Sequence, residues 1–420
     1  MRISEETQSF KGTKIPAEAQ DSAGKQRGHK EARKRQTSGM EASGRWERQN
    51  SGAGATGRQG RKGRAALGAA VFLVLFILLN RLASFFLEPW QGSSEEMWRG
   101  FRQAGQSDGR LDTVYVGSSQ CIAGVDPSVI DSLLGIRSYN MGTNMQSFHN
   151  SLLAARAAMD EKQVRRVVLV LDDELLLTER YDNFRADASF EKARERTAAS
   201  ARGKLEAAAD FVFSPAFAGR PASLNYFFPW TYNRSTAIRQ NVEEKLRGRI
   251  LSQEGRRDAN GHVPSGEVMT PDAHYVTVED AAQWDAANQL TELTLLAENR
   301  KELEALAALC RERGVELVAV CAPYPNYLTV YTAESYAAMQ TTLRELFGAY
   351  GFAYYNCNLA KPEFYRSELS HYQDNGHLNS DGAAAFSAFL AKLMEGGGVS
   401  EAGENMFYTL RADGDGVRLR

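Results

Sequence analysis

Val114-Tyr115-Val116-Gly117-Ser118-Ser119 is an apolar run that leads directly into a Gly-Ser-Ser turn. β-Branched and aromatic residues favour a strand, and an uninterrupted apolar run is typical of a strand that is covered on both faces. Similar short runs follow along the chain, and segments with apolar residues at helical spacing separate them. This alternation predicts an α/β fold, a three-layer α/β/α sandwich with a mainly parallel sheet.

The predicted strands are five short segments: Asp112–Val116, Ile136–Tyr139, Val167–Leu171, Val315–Cys321 and Phe352–Tyr355. The predicted helices lie near 127–134, 147–161, 291–313, 335–349 and 380–394. Ligands of open parallel sheets bind beyond the carboxyl ends of the strands. Ser119 follows the first strand, so we expect it at that edge of the sheet.

A second stretch, Asp374-Asn375-Gly376-His377-Leu378-Asn379, places a carboxylate three residues before a histidine and just ahead of a predicted helix. A serine hydroxyl becomes a good nucleophile when a histidine takes its proton, and a carboxylate fixes the tautomer of that histidine. Each motif alone has an ordinary explanation, as a common turn or as the start of a helix. Together they predict that Ser119, His377 and Asp374 are the nucleophile, base and orienting acid of a serine hydrolase or acyltransferase.

The order of these motifs resembles the SGNH (GDSL-like) hydrolase superfamily, in which a Gly-Asp-Ser block follows the first strand and an Asp-x-x-His block lies near the end. Ser118 replaces the usual aspartate, as in the membrane-anchored branch that transfers D-alanine onto teichoic acids. The resemblance covers residues 111–395, less an insertion at about 175–290. It implies a flavodoxin-like sheet, an esterase or O-acyltransferase with no cofactor, a cell-envelope glycan or polyol polymer as substrate, and, for a transferase, a membrane-bound acyl transporter as partner.

Two further blocks of the superfamily are only partly present. The first, Ser138-Tyr139-Asn140-Met141-Gly142-Thr143-Asn144, lies where the family builds part of its oxyanion hole, and Met145 stands in place of its second glycine. The oxyanion donors are therefore expected among the backbone groups of Ser119, Gly142, Asn144 and Met145.

The other block is normally Gly-x-Asn-Asp after the third strand. It is Leu171-Asp172-Asp173-Glu174 here, so the usual asparagine donor is absent, and Asp172 and Asp173 could simply end a strand. These departures leave open an alternative of another class: a non-catalytic envelope binding or scaffold protein that retains the SGNH shell.

Residues 65–87 are apolar except for Asn80, Arg81 and Ser84. At about 1.5 Å per residue this segment can span a hydrocarbon core of about 30 Å. Arg81 lies far enough toward the end to reach the headgroups, and Trp90 suits the interface beyond it. We predict an uncleaved transmembrane signal anchor; a buried helix of a soluble protein and a cleaved signal peptide are the competing interpretations.

The flanks of this segment differ in charge. Residues 1–64 carry 15 basic and 7 acidic residues, whereas the remainder carries 35 basic and 45 acidic residues. Positive charge stays in the cytoplasm, so the N-terminus is predicted to be cytoplasmic and the large C-terminal region extracytoplasmic in the cell membrane. The leader 1–64 has almost no large apolar residues and is predicted to be disordered. Its basic clusters favour the inner membrane surface rather than nucleic acid.

The rest of the chain is less regular. Residues 88–110 are expected to form a polar stalk or short helix, residues 396–420 a loosely ordered tail, and the insertion to pack over the edge of the active site. The cysteines Cys121, Cys310, Cys321 and Cys357 allow three pairings; a Cys321–Cys357 disulfide and buried free thiols are both compatible with the sequence. His371, Asp374 and His377 have a spacing that could bind a metal, but we predict none.

Overall fold

The computed structural model describes residues 54–89, 92–105, 109–217, 222–248, 256–269, 291–325, 330–395, 405–413 and 416–419. Most of the leader, Trp90, parts of the insertion and parts of the tail lie outside these described residues. The chain divides into two compact units, Met1–Gly68 and Ala69–Arg420. The packing described below belongs to the second unit.

The five predicted strands form one parallel sheet, which confirms the α/β class. Its strands are β1 Thr113–Gly117, β2 Ser138–Asn140, β3 Arg166–Leu171, β4 Glu316–Cys321 and β5 Ala353–Asn356. The strand order is β2-β1-β3-β4-β5. The chain reverses direction across the sheet at β1, and the carboxyl end of β1 is therefore the topological switch point at which such sheets bind their ligands.

Four of the five helices predicted for the sheet domain begin and end within two residues of their predicted positions, whereas the helices of the insertion were not predicted. The helices of the described residues are α1 Gly54–Leu87, α2 Ser93–Gln103, α3 Ser119–Gly124, α4 Pro127–Leu134, α5 Phe148–Glu161, α6 Asp173–Leu177, α7 Phe184–Thr197, α8 Ala201–Val212, α9 Ala222–Asn225, α10 Ile238–Arg247, α11 Ala297–Arg313, α12 Ala333–Gly348 and α13 Ser380–Glu395. Helix α11 begins six residues later than predicted, because residues 291–296 are extended. A C-terminal hairpin consists of β6 Leu410–Asp413 and β7 Gly416–Leu419.

Alternate residues of the central strands enter two separate buried clusters. Val114 and Val116 belong to a cluster that includes residues of α2, α5, α11 and α12. Tyr115 belongs to the other cluster, which includes residues of α4 and α13. Because successive side chains of a strand point to opposite faces, helices cover both faces of the sheet around β1.

The segment predicted as a stalk is partly packed into the domain. Helix α2 buries Met97, Trp98 and Phe101 completely in the first cluster. These residues recur at helical spacing, so one face of α2 is apolar although its mean composition is polar. Residues 93–103 are therefore a structural part of the domain.

Helix α1 is the one helix of the described residues that is long and apolar enough to cross a membrane, over Gly63–Leu87. The insertion predicted at about 175–290 contains α6 to α10, and a third cluster of Ala188, Phe211, Phe217 and Tyr226 holds part of it together. All four cysteines are buried free thiols, so the Cys321–Cys357 disulfide is not formed.

Candidate active site

Ser119 lies at the carboxyl end of β1, at the first position of α3. Gly117 ends the strand, and a Cβ atom there would lie 2.4 Å from the carbonyl oxygen of Val170 on the neighbouring strand. The close packing of β1 against β3 therefore requires glycine at this position. Ser118 is the N-cap of α3, with a side-chain oxygen that accepts from the N–H of Gln120. Its neighbour Ser119 is partly exposed at the edge of the sheet.

His377 and Asp374 lie together in the loop before α13. The carboxylate of Asp374 accepts hydrogen bonds from the N–H of Gly376 at 2.8 Å and from the N–H of His377 at 2.9 Å. This Asx turn places the carboxylate beside the ring, where His377 Nδ1 lies 2.8 Å from Asp374 Oδ1 and 3.0 Å from Oδ2. The Asp-x-x-His spacing is thus the length of one tight turn.

The structure brings Ser119, His377 and Asp374 together. His377 Nε2 lies 2.8 Å from Ser119 Oγ, across 258 residues of sequence. A carboxylate only accepts hydrogen bonds, so the proton belongs on His377 Nδ1 and the lone pair on Nε2 faces the serine hydroxyl. This tautomer is the one that can take a proton from Ser119.

The pKa shifts of His377 and Asp374 suit a general base and its orienting acid. The hydrogen bond to Asp374 raises the pKa of His377 above its ordinary value, against the opposing effect of partial burial. Partial burial raises the pKa of Asp374, but hydrogen bonds from His377 and from the N–H of Gly376 outweigh it and hold that pKa below its ordinary value. Asp374 therefore stays ionised and stabilises the protonated imidazole.

The four predicted oxyanion donors differ in their availability. The N–H of Gly142 donates to Asn140 Oδ1 at 3.0 Å, so this predicted donor already has an acceptor. The N–H groups of Ser119, Asn144 and Met145 donate to no acceptor within the described part of the chain. Those three groups are available to bind developing negative charge.

Met145 has a backbone conformation that favours glycine. Its φ is 52°, and it is the one non-glycine residue with positive φ among the described residues. Such a conformation costs about 1–3 kcal/mol and persists when the surroundings over-determine it. The side-chain amide of Asn183 donates to the carbonyl of Met145 and holds the turn.

Two buried carboxyl groups lie behind the serine turn. Ser118 Oγ donates to Asp172 Oδ2 at 2.6 Å, and Tyr324 donates to Asp173 Oδ2 at 3.1 Å. Burial raises the pKa of both carboxyl groups, that of Asp173 to about 7. Serine at 118 therefore suits its site, because it can donate to Asp172 whereas an aspartate there would bring a second negative charge. No single motif signals this pairing, which becomes visible only when Ser118 and Asp172 are considered together.

Residues 256–269 of the insertion, which we call the strap, connect the serine helix to the histidine loop. The N–H of Val263 donates to the carbonyl of Ile122 in α3. At the other end, the N–H of Met269 donates to the carbonyl of Tyr372, and the N–H of Ser380 donates to the carbonyl of Ser265. This part of the insertion thus packs against both segments that carry the candidate catalytic groups.

Arg257 anchors the strap to the candidate oxyanion turn, a role that no motif in the sequence indicates. Its guanidinium is buried and donates to the carbonyl oxygens of Gly142, Gly261 (2.7 Å), Asn140 (3.4 Å) and Ser93 (3.3 Å), and to Ser93 Oγ (3.1 Å). All of these acceptors are neutral, so the charge of Arg257 is used to hold backbone carbonyls in place. The contact is visible only in the folded structure, because Arg257 and Gly142 are 115 residues apart in the sequence.

One group of described residues has the composition of a cation site. Single ligand atoms of Asp126, Asp258 and His262 lie within 4.8 Å of one another. His262 Nε2 lies 3.2 Å from the carbonyl oxygen of Ala123, which leaves Nδ1 facing the two carboxylates. The absence of a metal from the reaction remains a prediction, and these residues take no part in the contacts of Ser119 or His377.

No protein-family model matches this chain, and no curated protein shows significant similarity to it.

Proposed function

We propose that the protein is a membrane-anchored, extracytoplasmic serine esterase or O-acyltransferase of the SGNH type, acting on a cell-envelope glycan or polyol polymer. The observation that carries the proposal is the continuous chain of hydrogen bonds from Asp374 through His377 to Ser119, with distances of 2.8 Å at both steps. The three groups lie at the switch point of a parallel sheet, where ligands of such folds bind.

In this mechanism Ser119 Oγ attacks the carbonyl carbon of an acyl ester while its proton passes to His377 Nε2. Asp374 keeps the ring oriented and stabilises the imidazolium. The protonated His377 then gives its proton to the leaving alcohol, and an acyl-serine remains. Water completes hydrolysis by attacking that ester, whereas a hydroxyl group of a polymer completes transfer.

The tetrahedral intermediate needs donors for its oxyanion. The backbone N–H of Ser119 and those of Asn144 and Met145 support this role, because they donate to nothing else among the described residues. Backbone groups held by a rigid turn need no reorganisation when charge develops. Arg257 and Asn183 supply that rigidity through the carbonyls of Gly142 and Met145.

The two buried clusters on either side of β1 support the finer prediction of a three-layer sandwich. The strand order 2-1-3-4-5 is that of flavodoxin-like folds and suits an SGNH domain.

The apolar helix α1 supports a single-pass anchor, and the basic leader supports a cytoplasmic N-terminus. A site on the outer side cannot reach cytosolic acyl carriers. Hydrolysis then needs only an acylated envelope polymer, whereas transfer also needs a membrane-bound acyl transporter.

The proposal is tested by labelling the full chain with a fluorophosphonate probe, which forms a covalent bond with an activated serine. The wild-type protein should be labelled and Ser119→Ala should not be. Ser132→Ala is the matched control, since Ser132 is an exposed serine on α4 and should leave labelling unchanged. Labelling of Ser119→Ala at the wild-type level would overturn the assignment of the nucleophile.

A non-catalytic envelope-binding or scaffold protein is the second candidate. It is favoured by the hydrogen bond that occupies the N–H of Gly142 and by the lack of an asparagine donor after β3. The same experiment separates the two functions. A wild-type chain that stays unlabelled while binding envelope polymer would support the scaffold.

A further inference from the structure

Asn80, a polar residue of the apolar helix seven residues before its end, makes its side-chain hydrogen bonds with the insertion. Asn80 Nδ2 donates to the carbonyl of Phe227 at 2.9 Å, and Trp230 Nε1 donates to Asn80 Oδ1 at 2.8 Å. Phe76, one helical turn earlier, makes an edge-to-face contact with Phe228 at 5.7 Å between ring centroids. This face of α1 is therefore directed at the protein.

The C-terminal end of α1 is capped by the insertion as well. Lys245 Nζ donates to the carbonyl oxygens of Ser84 (3.0 Å), Phe85 (2.6 Å) and Glu88 (2.6 Å). Carbonyls in the last turn of a helix lack intrahelical partners, and a cation is favoured there. The insertion therefore holds the end of α1 through a charged contact and, nearer the apolar segment, through Asn80.

A cleft of about 930 Å³ lies between α1 and the insertion. One part of its wall is apolar and is formed by Leu73, Phe76, Ile77 and Phe228. Leu73 and Ile77 are four residues apart, so the part of this wall that α1 contributes extends about 6 Å along the helix axis. The other part of the wall carries basic and acidic side chains of α7, α8 and α10.

The basic residues of the cleft differ in whether their side chains already have ion-pair or hydrogen-bond partners. Arg196 pairs with Glu88 and Glu95, and Lys192 pairs with Glu195. Lys245 is taken up by the carbonyls at the end of α1.

Arg81 and Lys204 also line the cleft, and the side chain of neither has an ion-pair or hydrogen-bond partner among the residues that the structure describes. These two cations lie at the polar part of a cleft whose other wall is a membrane-spanning surface.

We propose that this cleft binds a phospholipid of the outer membrane leaflet with an anionic headgroup. Acyl chains lie against Leu73, Phe76, Ile77 and Phe228, and Arg81 and Lys204 bind the headgroup phosphate. The occupant is an amphiphile, because the cleft combines an apolar wall with the positive charges of Arg81 and Lys204, which are unpaired among the described residues. The apolar wall is also continuous with the surface of α1 that faces lipid. The inference rests on membrane anchoring from the proposed function, but it is independent of the catalytic serine.

The test exchanges the purified full-length chain in detergent against an equimolar mixture of phosphatidylglycerol and phosphatidylcholine with identical acyl chains. Native mass spectrometry then counts the lipids that the protein retains. The wild-type chain should retain one phosphatidylglycerol in preference to phosphatidylcholine. Glycerol phosphate added as a competitor should not displace it, since the apolar wall contributes to binding.

Lys204→Ala and Arg81→Ala should each lower retention of phosphatidylglycerol about tenfold, the effect of losing one hydrogen bond between charged groups. Arg202→Ala is the matched control, because Arg202 lies on the same helix α8 but pairs with Glu206 and does not line the cleft. For the apolar wall, Phe228→Ala should lower retention of both lipids, whereas Phe213→Ala, at an 81% exposed position outside the cleft, should not.

Equal retention of the two lipids, or displacement by glycerol phosphate, would overturn the proposal of an anionic phospholipid site. Extraction of cell membranes with alkaline carbonate separates this failure from that of the anchor. A chain that stays in the membrane pellet but retains no lipid would refute the cleft alone. A chain released by carbonate would refute the membrane span on which the inference rests.

Discussion

Arg257→Ala is the substitution that tests how the insertion supports the active site. Arg257 is 9% exposed, and its guanidinium donates to four backbone carbonyls, of which those of Asn140, Gly142 and Gly261 accept buried hydrogen bonds and that of Ser93 a partly buried one. Gly142 lies in the turn that carries the available N–H groups of Asn144 and Met145. The substitution therefore removes the contact that holds the candidate oxyanion turn against the strap.

The size of the effect follows from the number of groups left without donors. A buried carbonyl that loses its partner costs about 1–3 kcal/mol. Water can enter the space vacated by a side chain of this size and restore part of the hydrogen bonding. For the three carbonyls with buried hydrogen bonds we expect the free energy of unfolding to fall by about 3–5 kcal/mol, which is large for a single substitution.

The effect on turnover has an upper limit, because loss of one oxyanion donor costs about 10²–10³ in kcat. Displacement of the turn leaves some donors in reach, so we expect a decrease of about 10–100-fold, with kcat affected more than KM. Arg257→Lys should be intermediate, because an ammonium keeps the charge but lacks the planar fork of donors.

The assay combines thermal unfolding of the detergent-solubilised chain with hydrolysis of p-nitrophenyl acetate. Arg256→Ala is the matched control, since Arg256 is the exposed neighbour on the strap and should leave both measurements near wild type. Wild-type stability in Arg257→Ala would refute the energetic argument. A destabilised variant with wild-type kcat would refute the link between Arg257 and the oxyanion turn.

Two further substitutions address the charges around the serine. The base must be neutral, so activity should rise with pH through the raised pKa of His377; Asp374→Asn should move this limb of the pH–kcat profile to lower pH and reduce the plateau by up to about 10⁴-fold. An unmoved limb would contradict the pairing. Ser118→Asp should lower the melting temperature more at pH 8 than at pH 5, because burial beside Asp172 raises the carboxyl pKa and the penalty grows as pH rises above the unfolded value. Ser132→Asp, on the exposed face of α4, should show no such difference.

The elements of the sheet could be predicted because their signal is local. The strands are short apolar runs, and Gly314, with φ 64°, ends α11 where the sequence indicated. Ser119, His377 and Asp374 could be predicted because each sits in a motif a few residues long, and the parallel sheet brings such motifs to one edge.

The state of the oxyanion turn could not be predicted, because it depends on which acceptor a backbone N–H finds after folding. The side chain of Asn140 takes the N–H of Gly142, although both residues lie in the block that suggested Gly142 as a donor. Arg257 was missed for a related reason. Its acceptors are backbone carbonyls, which carry no sequence signature, and the strap that holds it has irregular structure without periodicity.

The position of the histidine loop in the sequence also determines when the candidate active site can first exist. Ser119 is synthesised early, the strap later, and the histidine loop only near the end of the chain. A polypeptide released before residue 374 therefore contains the serine and its helix but has neither base nor orienting acid. Under the proposed topology and activity, most of the domain would be translocated before any acyl ester could be attacked, so an interrupted chain would be inactive.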